Sequence, residues 1–287
     1  MGITDADIVR AATSLGVIGG DTHAAHRILA ALCDPTLDAR HVAEIIQREP
    51  GLAVRVLKVS NSAFYGSSRN IATLDRALLL LGLDAVRGIA AAACLDRSVA
   101  RRSANVAIDP QALTHHCVAS AFAAETLARR SARSGPAEAF MAALLHDFGV
   151  PVQERLDPDG VTRLMEALRE EPSRELAALE ASLVQVGHSR CAEVVFEQWN
   201  LPPAIVIAVR HHDNPAQAPG PVRELTTLVH LGVQCALEAG FTHPLEPRQM
   251  RIPRGPLLAT LGVSDDAFAS IAAGLSERVL LMTAAAA

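Results

Sequence analysis

The chain has 287 residues and a formal net charge of −5; half of its residues are hydrophobic and only 3% are aromatic. A core with few aromatic residues must consist mainly of Ala, Leu, Val and Ile, which favours closely packed helices over a β-sandwich or barrel, so we predict an all-α fold. The acidic balance, and the lack of a Lys/Arg stripe interleaved with aromatic residues, argue against nucleic acid as a partner. We interpret the densest basic cluster, formed by Arg97, Arg101 and Arg102, as a solvated helix end.

The amino terminus shows neither the basic nor the apolar segment of a secretory signal, and no stretch approaches the ~18 uninterrupted apolar residues of a membrane span. We therefore expect a cytoplasmic protein that does not contact a membrane. The five cysteines have no CxxC spacing. In a reducing compartment this pattern predicts buried thiols and not a zinc site.

Capping and turn signals divide the first hundred residues into helices. Asp38 and Thr73 stand where N-caps are expected, the latter before a helix over 74–81. Pro50 suits the first turn of a helix whose apolar residues lie nearly all round it, which predicts a buried central helix; these residues are Leu52, Val54, Val56, Leu57 and Val59. A polar turn follows, in which Asn61, Ser62 and Tyr65 either satisfy local backbone groups or line a groove for a ligand or partner.

A polar stretch before Asp109 marks the best candidate for a boundary, and Asp109-Pro110 is a typical start of a long helix. Further helices are predicted at 136–146, 159–170, 173–186, 189–200, 203–211, 223–238 and 264–282. We expect four segments: an N-terminal helical half at 1–100, a linker at 101–110, a second helical half at 111–245 and a C-terminal helical extension at 246–287.

Several histidines of the second half lie on apolar helix faces. His116 shares the apolar stripe of its helix, His146 aligns with small alanines, and at least one of His211 and His212 must face the core at the end of an apolar helix. Buried imidazoles need partners, and Asp147 offers them a carboxylate. The pattern predicts a shared polar centre, which is either a metal site or a metal-free hydrogen-bonded network.

Both halves of the chain resemble the HDOD domain, the HD-related output domain of bacterial signalling proteins. The first half matches in Glu49-Pro50-Gly51-Leu52 and in Asn61-Ser62-Ala63-Phe64-Tyr65. The second half matches in Leu144-Leu145-His146-Asp147-Phe148-Gly149, Gly187-His188 and His211-His212. The resemblance covers roughly residues 15 to 240, and the joint occurrence of both halves makes it specific.

This resemblance implies an N-terminal helical subdomain packed on an HD-like helical bundle. In the related HD phosphohydrolases, two histidines, the His-Asp pair and a later Asp bind one or two metal ions that activate water for attack on a phosphoester. The matching positions here, which follow from the resemblance, are His116, His146, Asp147, His188, and His211 or His212. Members of the HDOD family commonly keep part of that set and act as non-catalytic output modules.

The chain departs from the hydrolase pattern at two positions. Val150 stands where the hydrolases have a lysine after the His-Asp-x-Gly run, and Val233 stands where the later Asp is expected. The residues after His211-His212 are Asp213-Asn214-Pro215-Ala216, which differ from the run found in cyclic-di-GMP phosphodiesterases. His230, three residues before Val233, is considered as a partial substitute for the missing carboxylate.

The leading expectation is therefore a non-catalytic regulatory module on a degenerate HD-type scaffold, with other signalling proteins as partners and no obligatory cofactor. The alternative is a metal-dependent phosphohydrolase with an altered ligand set, holding iron, manganese or zinc at the residual site. A binding module for a cyclic dinucleotide has the weakest support, because charge and aromatic content do not favour it.

Overall fold

A computed structural model describes residues 2–14, 28, 30–34, 36–61, 71–83, 85–91, 108–131, 135–171, 174, 176–242, 245 and 252–284. These residues form helices, turns and loops and contain no β-strand, so the all-α prediction is confirmed. Within the same ranges, no helix combines the length and apolar character needed to cross a membrane. Several residues considered above lie outside the described ones, namely Ser62, Tyr65, Arg97, Arg101, Arg102 and most of the expected linker.

Fifteen α-helices with defined bounds are seen in the described residues. The first four are α1 (Asp5–Ser14), α2 (Ala39–Gln47), α3 (Pro50–Ser60) and α4 (Leu74–Leu81). The next seven are α5 (Pro110–Ser131), α6 (Pro136–Leu145), α7 (Val150–Leu156), α8 (Pro158–Glu170), α9 (Leu176–Leu183), α10 (His188–Gln198) and α11 (Pro203–Arg210). After a short 3-10 turn (Pro215–Gln217) come α12 (Gly220–Glu238), α13 (Arg254–Leu261), α14 (Asp265–Ala273) and α15 (Leu275–Ala284).

The predicted capping residues take their expected places. The side chain of Asp38 accepts a hydrogen bond from the backbone N–H of His41, and that of Thr73 accepts one from Arg76. The Asp109 carboxylate accepts the N–H of Gln111 at the start of α5. Each contact satisfies a backbone donor that has no partner inside its helix, which fixes where the helix begins.

Two predictions about helices are wrong. Helix α3 is not buried all round, because Val54 stays 53% exposed although α2 and α4 pack against the helix. The C-terminal helix expected over 264–282 is two helices, α14 and α15, separated at Gly274. Helix α13, before them, was not anticipated.

The centre of the second half is a three-helix contact in which α5 packs against both α6 and α12. Small residues permit this packing: a Cβ at Gly232 of α12 would lie 2.6 Å from the backbone oxygen of Ser120 in α5. Such close backbone approach is possible only without a side chain. Helices α10 and α11 pack together, and α11 also contacts α6 and α12. Helix α11 therefore connects α10 to this three-helix centre.

Helix α1 contacts α7 and α10, and therefore packs on the second half of the chain. Arg190 in α10 reaches Asp5 in α1 with a nitrogen–oxygen distance of 2.8 Å. The pair is partly exposed, so its contribution to stability is at most about 1 kcal/mol. The pair joins α1 to the first turn of α10.

Candidate metal centre

Five side chains from different elements converge in the second half. His116 comes from the second turn of α5, His146 and Asp147 follow α6, His188 begins α10, and His212 follows α11. None of the five is more than 3% exposed. An ionised carboxylate is rarely buried so deeply unless charges or a metal compensate it, so this cluster is the candidate functional site.

The two oxygens of Asp147 each face one pair of histidines. Oδ2 lies 3.1 Å from Nε2 of His146 and 3.9 Å from Nε2 of His116, and these two nitrogens are 3.2 Å apart. Oδ1 lies 3.4 Å from Nε2 of His188 and 3.9 Å from Nε2 of His212, which are 3.5 Å apart. We call His116, His146 and Asp147 the first triad, and Asp147, His188 and His212 the second triad. Each is a group that could hold a metal ion.

Backbone carbonyls fix the rings of the first triad. Nδ1 of His116 is 2.8 Å from the carbonyl oxygen of Phe241, and Nδ1 of His146 is 2.7 Å from that of Ala143. A carbonyl oxygen only accepts, so each Nδ1 carries a hydrogen. In the neutral ring, Nε2 then presents a lone pair towards Asp147.

The second triad is held in the same way, with one important difference. Nδ1 of His212 donates to the carbonyl oxygen of Val209 at 2.7 Å, whereas Nδ1 of His188 faces a carboxylate oxygen of Glu180 at 2.8 Å. A carboxylate behind a histidine fixes the ring and makes its other nitrogen a stronger ligand. Glu180 is itself 6% exposed, so its charge acts at close range.

When the four rings are neutral, the atoms that meet at the centre are all acceptors. Nε2 of His116 faces that of His146, Nε2 of His188 faces that of His212, and the oxygens of Asp147 lie between them. Lone pairs at these separations repel each other unless a proton or a cation lies among them. Imidazole nitrogens with hydrogen-bonded outer partners, converging on a carboxylate, are the donor set that iron, manganese and zinc prefer, and the residues fit such an ion.

Titration of the buried rings reflects their different surroundings. Burial lowers the pKa of His116 below its ordinary value, and the nearby Asp147 only partly offsets this. Burial also acts on His188, but the carboxylates of Glu180, Asp213 and Asp147 outweigh it and raise its pKa well above the usual range. Negative charge is thus concentrated on the side of the second triad.

Asp213 is the site residue that the sequence reasoning missed, since it was treated as part of a broken motif. Its two carboxylate oxygens lie 3.8 Å from Nε2 of His188 and 3.5 Å from Nε2 of His212. Desolvation alone would raise its pKa, but His212 and His188 reverse the effect and hold the pKa below its ordinary value. Its position directly after His212 was the available signal. No sequence signal pointed to Glu180, because its contact with His188 depends on how α9 and α10 pack.

Other residues singled out from the sequence lie elsewhere. His211 is partly exposed at the end of α11 and belongs to neither triad. The ring of His230 has other partners: its Nδ1 donates to the backbone oxygen of His212, and its Nε2 lies 3.0 Å from the amide nitrogen of Gln234. His230 therefore supports the chain at His212 and does not replace the missing carboxylate.

Asn61 also has a clear role in the structure. Its amide nitrogen donates to the backbone oxygens of Leu57 and Ile71, and its side-chain oxygen accepts the N–H of Ile71. The two contacts with Ile71 join the end of α3 to the segment that precedes α4, and the contact with Leu57 is local to α3. The geometry matches the interpretation that Asn61 satisfies backbone groups.

The turn that carries Asp147 packs tightly against α10. A Cβ at Gly149 would lie 1.9 Å from the backbone oxygen of His188 and 2.7 Å from the backbone nitrogen of Ala192. The absence of a side chain at Gly149 thus allows Asp147 to approach His188.

Comparison with known proteins places this geometry in a family. A protein from Treponema pallidum with no characterised role is 22% identical over 200 residues; the match covers 69% of this chain and 38% of that protein, so the chain spans less than two fifths of this relative. The crystal structure of a protein from Shewanella amazonensis, described provisionally as a phosphohydrolase, superposes with a TM-score of 0.73 at 19% identity, covering 98% of both chains. A protein from Marinobacter aquaeolei, described provisionally as a signal transduction protein, gives a TM-score of 0.73 at 20% identity, covering 98% of this chain and 64% of the other.

At these identities the solved structures show the fold alone. The family model of the HDOD domain, however, matches residues 21–215, which is more than half of the chain. The matched range includes all five residues of the two triads and both parts of the resemblance seen in the sequence. The chain therefore belongs to the HDOD family.

Proposed function

We propose that this HDOD protein is a signal-transduction module that binds a divalent transition metal around Asp147, does not turn over phosphoesters, and acts through contacts with other signalling proteins. Family membership and the provisional description of the Marinobacter protein support the signalling role. The convergence of Nε2 lone pairs on a buried carboxylate supports the metal. A bound metal would supply Lewis acidity to this centre.

One observation carries the proposal that turnover is lost. The two positions where the hydrolase pattern requires charge are apolar and deeply buried, with Val233 fully buried and Val150 1% exposed. The cations nearest to the triad residues in the sequence are engaged elsewhere: Arg190 and Arg210 both pair with Glu193, at 2.6 Å and 3.1 Å. A substrate phosphate would have to compete with that carboxylate for either guanidinium.

The alternative, a metal-dependent phosphohydrolase with an altered ligand set, is favoured by the retention of both triads. Asp147 still faces two histidines with each oxygen, as an ion-bridging carboxylate would. A metal held by these residues would supply an activated water for attack on a phosphoester. This activity would need a source of positive charge for the phosphate other than residue 150.

The experiment compares metal content and turnover in the same preparations. Wild-type protein purified without chelators is assayed by elemental analysis, then tested with bis(p-nitrophenyl) phosphate, cyclic dinucleotides and nucleotides after addition of manganese, iron or magnesium. We expect bound metal in the wild type, its loss in Asp147→Ala, and no hydrolysis above the rate of that variant. Asp159→Ala, at an exposed position of α8, is the matched control and should keep its metal.

Two results would contradict the proposal in different ways. If wild-type protein is metal-free and does not take up added iron, manganese or zinc, the proposed metal binding is wrong. Sustained hydrolysis in the wild type and in Asp159→Ala, abolished by Asp147→Ala, would establish the phosphohydrolase instead.

A further inference from the structure

We infer that the metal positions of this chain are unequal, and that a single tight site is formed by Asp147, His188, His212 and Asp213. The inference rests on the proposed metal binding and goes beyond it, because it adds Asp213 as a fourth ligand and assigns the ion to one side of Asp147. The first triad is then a weaker, secondary position.

The distances between the candidate ligand atoms fit one ion. A metal with bonds of about 2.0–2.1 Å in tetrahedral geometry separates its ligand atoms by about 3.4 Å. In the second triad these separations are 3.4, 3.9 and 3.5 Å. Asp213 approaches the two rings with different oxygens: Oδ2 lies 3.8 Å from Nε2 of His188, and Oδ1 lies 3.5 Å from Nε2 of His212. Its carboxylate would have to rotate to present one oxygen to an ion held by both rings. Small adjustments of these side chains would therefore suffice to surround an ion with two nitrogens and two oxygens.

The charges favour the same position. Asp147 and Asp213 would both contact the ion, and Glu180 adds a third carboxylate behind His188. Both histidines of the first triad donate to neutral backbone carbonyls, and Asp147 is the carboxylate that the described residues place beside them. A divalent cation is attracted to the side with more negative charge, and the attraction is strong because these groups are shielded from water.

Glu180 is built into the site as a positioning residue. Its Oε1 atom accepts from Nδ1 of His188 at 2.8 Å, from the backbone N–H of His188 at 3.0 Å, and from the side-chain nitrogen of Gln153 at 2.6 Å. Gln153 donates in addition to the backbone oxygen of Val186. The carboxylate is therefore fixed from three directions, and it fixes the ring of His188 in turn.

The side chain of Asp213 is 28% exposed, whereas the other three ligands are almost fully buried. It is thus the ligand that faces solvent, and an ion arriving from solution would meet it before the others. Replacing Asp213 should consequently disturb metal binding without opening the core.

The test is a titration of chelator-treated protein with Co²⁺, followed by its visible absorption and by competition with a chelator of known affinity. We expect one tight equivalent in the wild type. Outer partners of metal ligands typically contribute about 10–100-fold to affinity, so Glu180→Gln should weaken the tight equivalent by that factor, and Asp213→Asn by at least as much. His146→Gln, which removes a ligand of the first triad only, should leave the tight equivalent within about threefold.

Matched controls separate binding from folding. Asp159→Asn makes the same chemical change on the exposed surface of α8 and should titrate as the wild type does. Circular dichroism and the melting temperature of the metal-free proteins report whether each variant folds, and Asp213→Ala provides a second replacement of the same ligand.

The outcomes distinguish this inference from the proposed function. If wild-type protein binds cobalt tightly but His146→Gln loses the tight equivalent while Asp213→Asn and Asp213→Ala keep it, the inference is wrong and metal binding stands. Two equivalents of equal affinity would overturn it as well. If the wild type binds no metal, both this inference and the proposed metal binding are wrong.

Discussion

Gly149→Ala is the sharpest test of how the turn after α6 builds the centre. The backbone of Gly149 has φ −74°, which an alanine adopts without strain, so any effect must come from the added methyl group. That methyl would lie 1.9 Å from the backbone oxygen of His188, whereas ordinary contacts begin near 3.4 Å. The obstacle is the backbone of α10, which cannot rotate away as a flexible side chain would.

The expected magnitude follows from these distances. Relief of the clash requires α10 and the turn to separate by about 1.5 Å, and overpacking of this kind typically costs about 1–3 kcal/mol of unfolding free energy. Nε2 of His188 is 3.4 Å from Oδ1 of Asp147, so the same movement would take it towards about 4.9 Å. One ion with bonds of about 2.1 Å joins two ligands at most about 4.2 Å apart. Gly149→Ala should therefore lose both stability and tight metal binding.

Urea unfolding of metal-free protein measures the first effect, and cobalt titration measures the second. Gly255→Ala is the control, because a Cβ there meets nothing within 4 Å and the residue lies inside α13; it should be neutral or stabilise by up to about 1 kcal/mol. If Gly149→Ala unfolds within about 0.5 kcal/mol of the wild type and binds cobalt equally well, the close approach does not position Asp147 and the reasoning fails.

Two further predictions concern residues outside the centre. Asn61→Ala removes two hydrogen bonds that join α3 to the backbone ten residues later and one to Leu57 within α3, and should lower the unfolding free energy by about 1–2 kcal/mol. Lys58→Ala, on the exposed side of α3, should change it little, and equal effects of the two substitutions would refute a structural role for Asn61. Burial raises the pKa of Cys235 to about 12. Cys94 lies outside the described residues, so it is replaced by Ser for this test. A thiol reagent at pH 8 should then label Cys235 only as the protein unfolds, and rapid labelling of the native state would contradict its burial.

Much of the centre could be predicted because its ligands carry local signals. His116 lies on an apolar helical stripe, and the His146-Asp147 pair ends an apolar run, so both point inward for reasons visible within one turn of helix. His188 was found by resemblance to the family. The choice between His211 and His212 needed the structure, because at a helix end a difference of one residue decides which ring faces the core.

The parts that could not be predicted depend on tertiary contacts or on misleading motifs. Asp213 was discounted because it begins a run of residues that differs from the one found in cyclic-di-GMP phosphodiesterases. A carboxylate in the right position can nevertheless bind a metal without the rest of that motif. Glu180 reaches His188 across the junction of α9 and α10, which no periodicity reveals. Val54 was expected inside because α3 is apolar all round, but α2 and α4 cover only part of that surface.

The histidine rings are oriented by contacts of very different sequence span, and this bears on how the centre assembles. His146 and His212 each donate to a carbonyl three residues earlier, whereas His116 depends on Phe241, 125 residues away. Closing a longer loop costs more chain entropy, so the two local rings can be oriented as soon as their own helices form. The ring of His116 should be the last to be set, and its fixation would mark the completion of the native fold.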